Sequence, residues 1–128
     1  MWNRRPRRRL VVADVRVIVC GSRGWGDREQ IELRLSMLPP AATTIIVHGA
    51  AQGPDSIAAQ FAGLCGMTVE PHPAEWDRLG KRAGFVRNEK MALLGADLCI
   101  AFWDGQSRGT KDMIDRCHVH QIPVEIHR

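Results

Sequence analysis

The sequence predicts one α/β domain: a doubly wound, mainly parallel five-stranded sheet with helices on both faces. Three observations predict it. Short apolar runs rich in β-branched residues, such as Val17-Ile18-Val19-Cys20, show almost no polar alternation, as strands do when both faces are covered. Three of these runs end in glycine-bearing turns that lead into helix starts. The connections between runs are long enough for right-handed parallel crossovers.

Taken in order, residues 15–20 form the first strand and Gly21-Ser22-Arg23-Gly24-Trp25-Gly26 the first turn. Asp27 offers a cap for a helix over 27–38, with Gln30 as capping-box partner and Pro39-Pro40 as the stop. Residues 44–48 form the second strand, followed by Gly49-Ala50-Ala51-Gln52-Gly53-Pro54-Asp55 and an alanine-rich helix over 55–65. Pro54 near its start and Gly66 after its end match the usual helix asymmetry. A short third strand covers 67–71, and 72–82 is the least regular connection. A helix over 83–95 ends at Gly95, and 98–102 is the fourth strand. The turn from Asp104 to Gly109 opens a helix over 109–120, and residues 123–127 close the chain as a fifth strand. The β-α-β-α-β-α-β-α-β order is that of a Rossmann-like domain.

At 128 residues the chain fits one domain with a real core. No apolar run approaches the ~18 residues of a membrane span, so no membrane partner is expected. The net charge is +4, but Arg4, Arg5, Arg7, Arg8 and Arg9 precede the first strand, and 4 − 5 leaves −1 for the rest. The domain division is therefore a basic tail over 1–13, expected to be disordered, and a folded body over 14–128. Nucleic acid is a candidate partner through the arginines of the tail alone. The tail lacks the apolar core of a secretory signal. Cys20, Cys65, Cys99 and Cys117 form no CxxC pair and read as free thiols of a reducing cytoplasm. The Cys117-His118-Val119-His120 segment with His127 matches no zinc spacing, so no metal or other cofactor is expected.

Parallel topology brings the turns at 21–26, 49–55 and 104–110 to one sheet rim, where ligands of such sheets bind. Ser22, Ser107 and Thr110 offer hydroxyls to phosphate oxygens, and Arg23 and Arg108 add charge. Gly21, Gly49, Gly53 and Gly109 allow close approach. Asp55 either caps its helix or accepts from a ribose hydroxyl or base amine. On the 83–95 helix, Met91 and Leu94 are expected to face the sheet, which turns Arg87 or Asn88 inward. An inward Arg87 either pairs with Asp55, Asp104 or Asp112, or meets an anionic ligand. Of Trp25, Trp76 and Trp103, at most one is expected to stack on a base. The GxxGxG spacing of the first turn is not GxGxxG, and no GxxxxGK[ST] occurs, which argues against dinucleotide dehydrogenases and P-loop NTPases.

Four motifs now carry a resemblance. They are Gly21-Ser22-Arg23, Gly49-Ala50-Ala51-Gln52-Gly53-Pro54-Asp55, Arg87-Asn88-Glu89-Lys90-Met91, and Asp104-Gly105-Gln106-Ser107-Arg108-Gly109-Thr110. In this order the chain, over about 15–127, resembles the SLOG superfamily, which includes DprA/Smf and the LOG enzymes. Within it the chain looks most like the small bacterial and phage YspA-like, YpsA-related proteins. The resemblance implies a nucleotide or nucleotide-derived small ligand at the rim, and homo-oligomerisation. LOG-type enzymes cleave a nucleoside monophosphate N-glycoside with GGxGTxxE and RKxxM segments. Arg87 and Met91 match the second, with Asn88 in place of lysine. Gly109-Thr110 matches the first, but its acid position holds Met113, and Asp112 lies one residue early, about 100° around the helix. Binding, by sensing or sequestering, is therefore the leading expectation. The alternatives are a phosphoribohydrolase using Arg87 and Asp112 as catalytic residues, and a DprA-like DNA-associated protein.

Overall fold

A computed structural model describes residues 14–128; the expected basic tail over 1–13 lies outside them. The described chain forms β1 (Val15–Gly21), α1 (Arg28–Ser36), β2 (Thr44–His48), α2 (Pro54–Leu64), β3 (Thr68–Pro71), α3 (Trp76–Leu79), α4 (Ala83–Leu94), β4 (Leu98–Phe102), α5 (Arg108–Val119) and β5 (Val124–His127). The five strands form one sheet in the order β3-β2-β1-β4-β5, and every pairing is parallel. The chain winds outward from β1 to β3, returns to β4 beside β1, and continues to β5. The order therefore reverses between β1 and β4.

Period-two alternation along the central strand explains how both faces become cores. Val17 and Val19 of β1 pack with Ile46, Ile100 and Phe102 under α1 and α2, joined by Ile31, Leu35, Ala58 and Ala62. Ile18 and Cys20 turn to the other face with Val47, Cys99 and Ala101, under Met91 and Ala92 of α4 and Met113, Ile114 and Cys117 of α5. All four cysteines are free, three of them buried in this second core.

The expected cap of α1 holds at atomic detail, while two other local expectations do not. Asp27 Oδ1 accepts the Gln30 N–H at 3.0 Å and caps α1. The Gln30 side chain does not close a capping box; its amide instead meets His127 Nδ1 at 3.3 Å, because β5 passes within reach of α1. The expectation that Leu94 faces the sheet fails: Leu94 is exposed. The buried arc of α4 runs through Asn88, Met91 and Ala92, and Leu94 falls beyond its edge. The irregular connection contains α3 and a 3₁₀ turn over Gly80–Arg82.

Two ion-pair clusters tie down the edge strands. The Arg16 guanidinium reaches from β1 across β2 to Glu70 of β3 at 2.8 and 2.9 Å, and His72 meets the same carboxylate at 2.7 Å. On the opposite edge Arg34 of α1 binds Glu125 of β5 at 2.6 and 2.9 Å. Charged edges of this kind also discourage pairing with another sheet. Among the described residues no helix is long and apolar enough to cross a membrane.

Two outcomes are expected. Hydrogen bonds from Arg16, then His72, hold the Glu70 carboxyl at about 2, and Arg34 does the same for Glu125. Folded values below the ordinary 4.5 mean that both pairs stabilise the fold above that pH and lose their effect as pH falls toward 2. Melting temperature should therefore fall more steeply from pH 5 to pH 2.5 in the wild type than in a Glu70→Gln/Glu125→Gln variant; parallel curves would refute the assignment. A Cβ at Gly21 would lie 2.4 Å from Pro54 Cγ and 2.6 Å from the Phe102 carbonyl oxygen. Gly21→Ala should accordingly lower urea stability by about 1–3 kcal/mol.

Candidate ligand pocket at the sheet rim

The turns that follow β1, β2 and β4 meet at the carboxyl edge of the sheet, around the point where strand order reverses. A cavity of about 480 Å³ opens there between these turns and α4. Its floor is apolar and sulfur-rich, with Cys20, Met91 and Met113 beneath the turns. Gly21, Ser22, Arg23, Gly49, Asp55, Arg87, Asn88, Asp104, Ser107, Gly109 and Thr110 all line it, as the sequence placed them. Gly53 and Asp112 do not.

The first half of the β2 turn is internally satisfied. Asp55 is 4% exposed, and its Oδ2 accepts the Gly49 N–H at 2.8 Å and the Ala51 N–H at 3.3 Å. The intervening Ala50 N–H donates to His48 Nδ1 at 2.9 Å, which holds Ala50 at a φ of +57°. Three successive N–H groups, those of Gly49, Ala50 and Ala51, are thus occupied by side chains of their own segment. Asp55 Oδ1 has no protein donor among the described residues, while its carboxylate lines the cavity. Asp55 therefore does not cap α2 by the usual route; it orders the turn from inside.

Arg87 faces this turn from α4. Its Nη1 donates to the Gly49 carbonyl and, at 3.3 Å, to that of His72, and its Nε donates to Asn88 Oδ1 at 2.9 Å. It forms no ion pair with Asp55, Asp104 or Asp112; carbonyl oxygens take the place of the carboxylate. Burial lowers the Arg87 pKa, with the charge of Asp55 opposing that effect. Asn88 extends the connection, donating to the Gly109 carbonyl at 3.2 Å and to Asp112 Oδ2 at 3.0 Å. Asp112 is held further by Arg116 Nε at 2.7 Å, behind Asn88 as seen from the cavity.

The turns after β1 and β4 are joined to each other. Ser22, 2% exposed, accepts the Asp104 N–H on its hydroxyl at 3.0 Å. Asp104 Oδ1 accepts from Gln106 and Ser107 N–H at 2.8 Å each, which holds its carboxyl below the usual range. Ser107 caps α5, its hydroxyl meeting Thr110 N–H and Oγ1.

The glycines divide into two groups. A Cβ at Gly21 meets Pro54 and Phe102, one at Gly49 meets the Arg87 guanidinium, and one at Gly53 lies 2.9 Å from the Ser22 carbonyl oxygen. These three let protein segments approach one another. Gly24 and Gly109 have nothing within 4 Å, and both line the cavity. Among the described residues, the N–H groups of Arg23, Gly24 and Gly109 have no protein acceptor. Open backbone donors therefore lie on the β1 turn and at the start of α5, with Arg23 and Thr110 beside them.

Sequence reasoning did not single out His48, although a polar residue ending a buried strand was a usable signal. It also left Lys81 and Phe85 unremarked; both line the cavity from the irregular connection and α4, where no periodicity marks them. Of the three tryptophans considered, Trp76 alone lines the cavity. Trp25 packs on Phe102, and Trp103 lies beneath Arg128.

Comparison with known proteins gives three results. A family model described as YspA, cpYpsA-related SLOG family matches residues 15–79. The Gene 61 protein of Mycobacterium phage D29 is 38% identical over 116 residues, covering 85% of this chain and 93% of that protein. Among solved structures, DNA processing protein A from Helicobacter pylori, described for its single-stranded DNA binding mode, has a TM-score of 0.66 at 18% identity, over 91% of this chain and 67% of that one. A C-terminal domain of a Pyrococcus furiosus hydrogenase has a TM-score of 0.54 at 12% identity, over 91% and 95%. At such identities the two structures show a shared fold.

The buried carboxylate gives a pH signature. Burial raises the Asp55 pKa from 3.8 to about 6, against its two backbone donors and Arg87. The folded state therefore keeps a proton that the unfolded chain releases, and this group's stabilisation declines as pH rises from about 4 to 6. His48, lowered by burial and by the nearby His72 and Arg87 charges, acts in the opposite direction below pH 6.5. In Asp55→Asn, with His48 unchanged, the melting temperature should lose the downward contribution. The wild-type minus variant difference should become more negative from pH 4 to 6.5. A constant difference would show that Asp55 does not titrate there.

Proposed function

Because the chain belongs to the YspA, cpYpsA-related SLOG family, we propose that its rim pocket binds a nucleotide or nucleotide-derived small molecule, as a sensing or sequestering module. One observation carries the reading: the N–H groups of Arg23, Gly24 and Gly109, unpartnered among the described residues, flank the same cavity as the Arg23 side chain and Thr110 hydroxyl. Backbone donors at a helix start with an adjacent cation suit a phosphate. The cavity volume lies in the range of small-molecule sites.

Asp55 Oδ1, without a donor among the described residues, suits a donor on the same ligand, a ribose hydroxyl or base amine. The ligand's anionic end then lies between the β1 turn and α5, and its neutral end toward the β2 turn. Asp112 supports binding over N-glycoside cleavage, since Arg116 and Asn88 engage it outside the cavity lining. Single-stranded DNA is the second occupant to test, because a protein of the same fold is described by that binding mode. In this chain the five tail arginines would have to supply much of its affinity.

Thermal shift with AMP and ADP-ribose tests the proposal. A ligand at 100 times its Kd adds about 2.7 kcal/mol, a rise of roughly 10 °C for a domain of this size. Arg23→Ala should remove most of the rise without changing the unliganded melt. Chromatography of the same mixtures should show no free base; release of base would move the protein to the N-glycosidase class. Stabilisation by single-stranded DNA that survives removal of residues 1–13, with none by either nucleotide, would overturn the small-molecule reading.

A further inference from the structure

Trp76 stands apart from the other tryptophans of the described residues. Trp25 donates its indole N–H to the Asp27 carbonyl at 3.2 Å and packs against Phe102. Trp103 donates to the Ser107 carbonyl at 3.1 Å and lies beneath the Arg128 guanidinium. The Trp76 indole N–H has no acceptor among the described residues, and no aromatic ring or cation stacks on it there. The residue is 51% exposed.

That indole borders two cavities at once. It lines the main pocket, and with Arg23, Gly49, Ala51 and Arg87 it lines a second space of about 280 Å³ beside it. Its position depends on Gly84 of α4. A Cβ there would lie 3.3 Å from Trp76 Cη2 and 3.8 Å from Arg87 Nη2. The edge of the indole and the outer nitrogen of the guanidinium thus converge over a residue without a side chain. Arg87 Nη2 makes no hydrogen bond among the described residues. A large apolar face, half exposed at a polar pocket mouth with an unoccupied donor beside it, suits a planar aromatic group carrying acceptors on its rim.

We propose that Trp76 is the base-stacking wall of the pocket, with Arg87 Nη2 at the edge of the stacked ring and Gly84 leaving room for both. The inference rests on the nucleotide reading above and adds which part of the ligand meets which wall. Trp76 becomes the residue that distinguishes a nucleotide from a sugar phosphate, because ribose phosphate offers no face to stack. Gly84 becomes a positioning residue that acts through the tilt of the indole.

Calorimetric titration of the full chain with AMP, ADP-ribose and ribose 5-phosphate tests this. Trp76→Ala should weaken AMP and ADP-ribose roughly ten- to hundredfold and leave ribose 5-phosphate unchanged. Trp76→Phe should keep the base-bearing probes within a few-fold. Gly84→Ala should weaken those two probes selectively, and circular dichroism melts should confirm that each variant is folded. Equal weakening of all three probes in Trp76→Ala would make Trp76 structural and overturn the proposal. So would unchanged AMP and ADP-ribose affinity, although the nucleotide reading would then stand. A wild type that binds none of the three probes would remove both.

Discussion

The rim depends on two adjacent side chains of α4. Arg87 donates to the carbonyls of Gly49 and His72, and Asn88 donates to the carbonyl of Gly109 and to Asp112. One helix turn therefore fastens the segments after β2 and β3 and the start of α5 to a common point. A half-buried cation without a direct carboxylate partner is costly unless its donors are satisfied. Backbone carbonyls satisfy Nη1 here, Asn88 satisfies Nε, and the Asp55 charge acts through space. Among the described residues Nη2 is left over, at the mouth of the cavity.

The three turns share an edge and differ in chemistry. The β2 turn is closed on itself by Asp55 and His48, and Asp104 takes two N–H groups of the β4 turn. Among the described residues, the β1 turn and the first residues of α5 present open backbone donors beside the cavity. An aspartate inside a turn occupies the place that a bound anion would otherwise take. Asp55 thus brings a carboxylate to the cavity and Arg23 a cation, and the two arrive on different turns.

The glycines illustrate how a shared residue type conceals two duties. Gly21, Gly49 and Gly53 admit neighbouring parts of the protein, as the positions of Pro54, the Arg87 guanidinium and the Ser22 carbonyl show. Gly24 and Gly109 border open space. Close packing of the first group sets the distance between turns; openness of the second leaves their backbone accessible. Spacing motifs record both kinds identically.

Much of the architecture was legible in the chain itself. Strand runs such as Thr44–His48 and Leu98–Phe102, the Asp27 cap, and the glycine stops at Gly66 and Gly95 are local features, dictated by side-chain branching, burial on both faces and backbone freedom. Parallel crossovers then placed the three turns on one edge, so most of the pocket lining followed from residue number. The partners of Arg87 did not follow. Periodicity turned it inward, but whether it met Asp55, Asp112 or a carbonyl depended on where separate turns came to rest. The same holds for the withdrawal of Asp112 behind Asn88, the exposure of Leu94 and the position of Trp76 over Gly84. Sequence determined which residues reach the rim because that is a matter of local conformation and chain direction. Tertiary structure decided what each one touches there, because those contacts join segments far apart in the chain and are set by packing.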